Sequence, residues 1–470
     1  MKLDADYLVV GTGAMGMAFV DTLLTETEAT IIMVDKHGKP GGHWNDAYPF
    51  VRLHQPSSFY GVNSEKLGND AIDETGWNKG LHELASGAEV CAYFDHVMQR
   101  RFLASGRVQY FPMCEFLGDK SFKSIVTGET QQVTTRKVVD ATYMNVSVPS
   151  VTPPKYQVAS DATCIPLNDL PKLSAPRSQY VVIGAGKTGM DACLWLLSNQ
   201  VSPEKISWVT PRDSWILDRR NIQPGLEAAM IGIEGLAGQM KAIAESESID
   251  DMFARVEANG QLLRIDNDIK PSMYRCATVT ELELQQLKRI KNIIRKGRVQ
   301  RAARGQLELD DGVEQLNDDA LYIDCTADAL ARMPIAPVFD GEKITLQTVR
   351  FCQQVFSAAF IAHVEASYNS EDERNKLCTV VPHPNTASDW MRVTLAHAMN
   401  QLTWSEDPLL SEWLEHARLD AFSQPAASME NPTEAMLAAM ARIKEYGPAA
   451  LGKLEQYIKL SDEMESGAAA

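Results

Sequence analysis

Tyr7-Leu8-Val9-Val10-Gly11-Thr12-Gly13-Ala14-Met15-Gly16 runs from a short apolar stretch into a glycine-rich turn. A helical pattern follows, with Met17, Val20 and Leu24 on one face, and then a second apolar run, Ile31 to Val34, that ends at Asp35. This is strand, turn, helix and strand in about 30 residues, the sequence form of a dinucleotide-binding βαβ unit. The first glycine permits the tight turn, the second lets a pyrophosphate approach the backbone, and the third lets the helix pack on its strand. The same pattern returns at Tyr180-Val181-Val182-Ile183-Gly184-Ala185-Gly186-Lys187-Thr188-Gly189. Its helix carries Met190, Cys193, Leu194 and Leu197 on one face, and its second strand is Ile206 to Thr210. One such motif is a weak signal; two, each in the right local context, predict an α/β protein with two Rossmann-like domains.

The ends of the two second strands differ, and the difference assigns ligands. Asp35 lies 19 residues after Gly16, where a carboxylate accepts hydrogen bonds from a ribose diol and repels a 2′-phosphate, which suits FAD or NAD. The second copy ends Thr210-Pro211-Arg212, and a guanidinium there pairs with a 2′-phosphate, which points to NADPH. Asp213 beside it works against that pairing. Lys187, inside the second turn, is placed to reach a phosphate, or is a solvated lysine at a helix start.

The 470 residues carry 45 Lys and Arg against 62 Asp and Glu, a net charge of −17. A field of that sign repels nucleic acid and anionic lipid, so neither is an expected partner. No apolar run reaches the ~18 residues that span a bilayer, and the start lacks a signal-peptide stretch, so the chain reads as cytoplasmic. The eight cysteines are never closer than 23 residues, with no CxxC pair, and read as core thiols. Pro149 to Pro176 holds six prolines and reads as inter-domain connection. Residues 217–287 read as mostly helical. Residues 288–304 carry eight Lys or Arg and no acid, read as a solvated helix face rather than a guide for an anionic cofactor. The C-terminal third is helical, with a helix starting at Asn431-Pro432, interrupted at Gly447-Pro448 and frayed over its last residues.

After Asp35 come Lys36-His37-Gly38-Lys39-Pro40-Gly41-Gly42-His43-Trp44 and Tyr48-Pro49-Phe50-Val51-Arg52. A GG-x-W after the acidic strand end, with YP and Arg shortly beyond, resembles the class B flavoprotein monooxygenases: flavin-containing, Baeyer–Villiger and N-hydroxylating enzymes. Val138 to Tyr143 and Tyr322 to Ala327 resemble that family's strands returning between domains, and Phe356 to Ile361 its last return to the flavin domain. The likeness spans roughly residues 5–365. Tyr143 and Ala327 stand where the family usually has glycine, and no histidine occurs between His96 and His363, so the family's box before the second nucleotide motif is missing.

The resemblance implies an NADPH domain inserted into a discontinuous FAD domain: residues 1–150, then 151–329 for NADPH, then 330–470 as the return plus a helical C-terminal region. It implies an NAD(P)H-dependent monooxygenase that inserts one oxygen atom of O2 into a small organic substrate through a C4a-(hydro)peroxyflavin. The alternatives are an FAD-dependent NAD(P)H reductase without oxygen transfer and a non-catalytic nucleotide sensor. Substrate and oligomeric state stay open, a homodimer among the choices. FAD-side candidates are Gly11, Gly13, Ala14, Met15, Gly16, Asp35, Lys36, Gly42, His43, Trp44, Arg52, His54, Gln55 and Thr142. NADPH-side candidates are Gly184, Gly186, Lys187, Thr188, Gly189 and Arg212. Catalytic candidates are Arg52 for fixed positive charge, His54 for proton exchange near neutral pH and Asn63; no metal ligands are expected. Trp208 and Trp215, flanking Arg212, are candidates to cover an adenine or to sit in the core.

Overall fold

The computed structural model describes residues 3–327, 333–420 and 433–468. The start expected at Asn431-Pro432 and the 329/330 boundary lie outside the described residues.

Two parallel sheets carry the fold. The first contains β1 (Leu3–Val10), β2 (Ile31–Val34), β3 (Val108–Phe111) and β4 (Thr130–Asp140). In the second are β5 (Thr163–Pro166), β6 (Tyr180–Ile183), β7 (Ile206–Val209), β10 (Asn292–Ile294) and β11 (Leu321–Asp324). Between β7 and β10, β8 (Ser214–Asp218) and β9 (Met273–Val279) form a separate two-stranded ribbon. β12 (Lys343–Thr345) returns to the first sheet. Strand order is β12-β4-β1-β2-β3 in the first sheet and β5-β11-β6-β7-β10 in the second, all parallel within these orders. Four strands correspond in order, β4-β1-β2-β3 and β11-β6-β7-β10; the fifth strand is the last of its sheet in the chain in the first unit and the earliest in the second. Fully apolar strands such as Tyr180–Ile183 suit sheets covered on both faces.

Each unit has its first helix directly after the glycine turn: α1 (Ala14–Glu26) and α2 (Lys187–Ser198). The middle segment adds α3 (Leu226–Ala244) and α4 (Ile249–Ala258), and the C-terminal part contributes α5 (Gln354–Ser367), α6 (Ala387–Ser405) and α7 (Glu434–Ala468). α5 is buried along most of its length and packs on α1, as a return to the first unit requires. α6 and α7 go elsewhere. Trp390, Met391, Ala450, Leu454 and Tyr457 share a core with Trp215, Met252, Phe253 and Tyr274 of the middle segment.

Several expectations need correction. The basic run 288–304 forms β10 and the strand Val299–Ala303, not a helix; Ile290, Ile294 and Val299 pack inward while the charges flank them. The Pro-rich passage supplies β5, an edge strand where proline is tolerated, as well as connection. Residues 217–287 include β9 among their helices. α7 runs through Gly447 and Pro448 to Ala468 without interruption. Packing of Ala450, Leu454 and Tyr457, each at most 3% exposed, outweighs the ~3 kcal/mol that an interior proline costs. Cys276 and Cys352 form a disulfide, while the other six cysteines are free. Their 76-residue separation hid the pair from any reading of local spacing.

Candidate functional site

The glycine turns are near copies at atomic detail. Gly11 has φ +99° and Gly184 φ +126°, left-handed conformations that favour glycine. A Cβ on Gly16 would stand 2.1 Å from the Gly11 carbonyl oxygen, and one on Gly189 1.9 Å from that of Gly184. The third glycines are therefore demanded by the turn itself. Gly13 and Gly186 are the N-caps of α1 and α2, and neither helix start has a side-chain acceptor on its free N–H groups. Such a start suits an anion, and the two turns offer the cradle for two dinucleotide pyrophosphates.

The returning strands are also copies. The Asp140 carboxylate accepts from Thr142 N and Oγ1 at 3.0 and 2.8 Å, and that of Asp324 from Thr326 N and Oγ1 at 3.3 and 2.7 Å. These Asp-x-Thr turns bend the backbone by side-chain hydrogen bonds. Neither Tyr143 nor Ala327 has a positive φ, so no glycine is needed there; the left-handed residue is Asn145, at +44°.

At the end of β2, Asp35 is 6% exposed. One carboxylate oxygen accepts from Thr12 N and Oγ1, at 2.5 and 2.9 Å, and the other from His37 N and Nδ1, at 2.8 and 2.9 Å. His37 Nε2 lies 2.8 Å from Asp46. Burial works to raise the Asp35 pKa, but the hydrogen bonds from His37 and Thr12 prevail and hold it below the usual carboxylate range. His37 is raised, chiefly by its bond to Asp35 against the cost of burial, with Asp46 adding to it. Lying two residues beyond the acidic strand end, this histidine was signalled by position and yet missed.

In the second unit the residue matching Asp35 is Thr210, and three residues further on Asp213 is bound by Arg295 at 2.9 and 3.1 Å. Arg295 comes from the basic run, so that run does supply one cation beside Arg212. The Arg212 guanidinium lies 3.4 Å from Asn385 Oδ1, which also accepts from Arg275 at 3.0 Å.

Both turns open on one cavity of about 1870 Å³. It is large for a single small ligand, for which 300–1,000 Å³ is usual. Segment 43–55 leaves the first unit and forms a wall shared with the second. Trp44 Nε1 donates to Tyr60 Oη at 2.7 Å, Tyr48 Oη donates to Asp191 of α2 at 2.5 Å, and Lys187 pairs with the same Asp191. Phe50 stacks on Trp195 of α2, and the buried Arg219 donates to the His54 carbonyl at 3.0 Å. Burial and the Asp191 charge keep Tyr48 protonated, its pKa far above normal. Burial, helped by Lys187 and Arg219, lowers His54 to about 3, and burial lowers His43 to about 4. Both imidazoles are neutral at pH 7, so His54 is no proton exchanger near neutral pH in this state. Its Nδ1 is buried with no hydrogen-bond partner and is available to a bound group.

Of the candidates, the cavity is lined by Gly11, Gly13, Ala14, Met15, Asp35, Lys36, Gly42, His43, Trp44, Arg52, His54, Gln55 and Thr142 from the first unit, and by Gly186, Lys187 and Thr188 from the second. Gly16, Gly184 and Gly189 are spent inside the turns. Arg212 and Asn63 are not among the lining residues; Asn63 Oδ1 instead accepts from Leu419 N at 3.2 Å. Arg52 donates to the Leu84 carbonyl at 2.9 Å from an exposed position. Trp208 and Trp215 are core: Trp208 Nε1 donates to the Gly184 carbonyl at 2.8 Å, and Trp215 stacks on Phe253. Cavity residues not among the candidates include Tyr48 and Asp191, which lie beside the quoted motifs, and Arg275, His383, His397 and the Cys276–Cys352 pair, which come from distant segments. Among the described residues no group of side chains could hold a metal ion, and no helix is long and apolar enough to cross a membrane.

Fold and site together define an α/β protein with two dinucleotide-type turns facing one cavity. No family model matches the chain. It is 53% identical over 418 residues to the uncharacterized protein Rv2000 of Mycobacterium tuberculosis, covering 89% of this chain and 78% of that one, and equally to Mb2023 of Mycobacterium bovis. The chain belongs to the family of these mycobacterial proteins. Solved structures similar to it are class B flavin monooxygenases. They include a flavin-containing monooxygenase from Stenotrophomonas maltophilia, with 13% identity, 78% of this chain and 99% of that one covered and a TM-score of 0.46. Cyclohexanone-bound cyclohexanone monooxygenase has 14% identity, 95% and 98% coverage and a TM-score of 0.48. OTEMO in complex with FAD and NADP has 14% identity, 77% and 83% coverage and a TM-score of 0.49.

Proposed function

We propose that this protein is an FAD- and NADPH-dependent monooxygenase that inserts one oxygen atom of O2 into a small organic substrate. The observation that carries the reading is the pair of duplicated turns, Gly11–Gly16 and Gly184–Gly189, whose helices start on a common cavity. Two nucleotides held there would bring their redox rings into one space. A flavin at the first turn supplies two-electron exchange with a nicotinamide and activation of O2; the protein supplies binding, orientation and exclusion of water.

Under this reading, the free N–H groups of α1 receive the FAD pyrophosphate and Asp35 the adenosine ribose. Residues 1–150 with the returning segment hold that cofactor, and residues 151–329 hold NADPH. The start of α2 and Lys187 face the NADPH pyrophosphate, with Lys187 exchanging its Asp191 contact for phosphate. Arg212, with the neighbouring Asp213 charge offset by Arg295, takes the 2′-phosphate. Arg52 supplies positive charge at the rim once it leaves the Leu84 carbonyl. His54 acts as a neutral hydrogen-bonding group through its unpartnered Nδ1. Trp44, Leu53 and Tyr60 exclude water from the cavity wall. Asn63 acts at most by holding Leu419 in place.

The test is turnover of a panel of amines, sulfides and ketones with NADPH under isotopically labelled O2. One labelled oxygen per product, matched to NADPH consumed, is the expected result. NADPH oxidation balanced entirely by hydrogen peroxide would make the protein a reductase, and purified protein that takes up no FAD would end the reading.

A further inference from the structure

Cys276 and Cys352 are the one bonded pair among eight cysteines, and both line the cavity. Their Cα atoms are 6.4 Å apart, within the span a disulfide accepts. Cys276 sits in β9 where its register with β8 shifts between Trp215 and Leu217. Cys352 sits in the turn before α5, on the segment that returns to the first unit. The bond therefore joins the ribbon of the middle segment to the first unit across the cavity wall. Both cysteines are left-handed, at φ +56° and +52°, two of only eight such non-glycine residues among those described. Off-pattern backbone of this kind persists where surrounding structure enforces it, often at functional positions.

We propose that Cys276–Cys352 is a thiol–disulfide exchange site, open through the cavity to small thiols, that reversibly ties the two nucleotide-binding units together. Cys352 is half-buried and Cys276 is 6% exposed, so Cys352 is the sulfur attacked from the cavity. An incoming thiolate bonds to Cys352 Sγ, the protein S–S bond breaks, and Cys276 leaves with the electron pair and takes a proton from solvent. A second thiol attacks the mixed disulfide and frees Cys352. The balance is one protein disulfide and two small thiols giving two protein thiols and one small disulfide. Arg275, next to the leaving sulfur in sequence, lines the same cavity with its guanidinium held by Asn385. The free cysteines contrast with this pair. Burial raises the pKa of Cys91, Cys114, Cys193, Cys325 and Cys378, which keeps them protonated and slow to react.

The test uses native full-length protein equilibrated across mixtures of reduced and oxidised glutathione, then quenched in acid, unfolded and counted for thiols. Six thiols in the oxidising mixtures and eight in the reducing ones, in a single step, is expected; peptide mapping should find Cys276 joined to Cys352. Eight thiols throughout, or six until the protein is unfolded in reductant, overturns the proposal. In C276S, oxidised glutathione should label Cys352, while in C352S Cys276 stays unlabelled; equal labelling overturns Cys352 as the sulfur of entry. None of these readouts needs a bound flavin or turnover, so they stand or fall apart from the proposed monooxygenase activity.

Discussion

The two glycine-turn units share the order of four core strands, turn geometry and the Asp-x-Thr bend, yet they close over their turns differently. In the first, a Cβ on Gly42 would come within 2.9 Å of the Gly13 Cα, so the 41–45 turn lies directly on the glycine turn. In the second, no atom lies within 4 Å of where a Cβ on Gly186 would stand. One unit is covered by its own chain, with its acidic strand end wired to Thr12, His37 and Asp46. The other is open, with a cationic strand end. The same fold thus offers one sheltered turn and one accessible turn; under the proposed function the first keeps the flavin nucleotide and the second exchanges the nicotinamide one.

The sharpest way to break this comparison is through the third glycines. Gly16→Val and Gly189→Val each force a side chain into a backbone carbonyl, and should destabilise the protein by about 3 kcal/mol or more, beyond ordinary overpacking. Gly186→Ala has room and an ordinary φ of −79°, so its melting temperature should match that of the parent. Thermal unfolding checks all three; a large loss in only one of the two valine variants would remove the claim that the turns share one geometry, and a comparable loss in Gly186→Ala would remove the claim that the third glycine is the demanding one. Next in size, Arg212→Ala should weaken NADPH by an order of magnitude or more and hardly alter NADH. About 1.5–3 kcal/mol is typical of a hydrogen bond to a charged group. Titration with both nucleotides decides it, and equal losses would show that the cationic strand end does not read the 2′-phosphate.

The acidic end of the first unit can be read through pH. His37 has a raised folded pKa, so the stability it contributes is fully present below its unfolded pKa of about 6.5 and is lost as pH rises through the folded value. Asp35 has a depressed one, so its contribution is present above about 3.9 and is lost as pH falls through the folded value. A His37→Gln variant should therefore lose stability relative to the parent near pH 6, with the gap narrowing in the alkaline range. A gap independent of pH would mean that His37 is not charged in the folded protein. The smallest effect is expected from Tyr48→Phe, which removes the hydrogen bond to Asp191 that links the units. A loss of about 1 kcal/mol in stability is expected, read by denaturant unfolding.

Both βαβ units, and the need for the first and third glycine of each turn, were legible in the chain because the constraint is local. Gly11 and Gly16, or Gly184 and Gly189, touch within one turn, and strand, turn and helix follow one another within about 30 residues. The same locality made Asp35 and Arg212 visible as strand ends. Tyr143 and Ala327 stand where the resembled family has glycine, yet neither has a positive φ, and both follow an Asp-x-Thr turn closed by side-chain hydrogen bonds. The charge pattern suggested a helix face for the basic run, where alternating burial against the second sheet makes it strand.

The α/β class, the two βαβ units and their glycine turns were determined by sequence alone, since short-range sterics and hydrophobic period suffice to specify them. Tertiary structure decided that both cradles face one cavity, that His54 is a neutral imidazole, that Asn63 and Arg212 stand off the cavity wall, and that Cys276 meets Cys352. Those outcomes depend on contacts between segments tens to hundreds of residues apart, and on burial, which sets protonation only after the chain has packed.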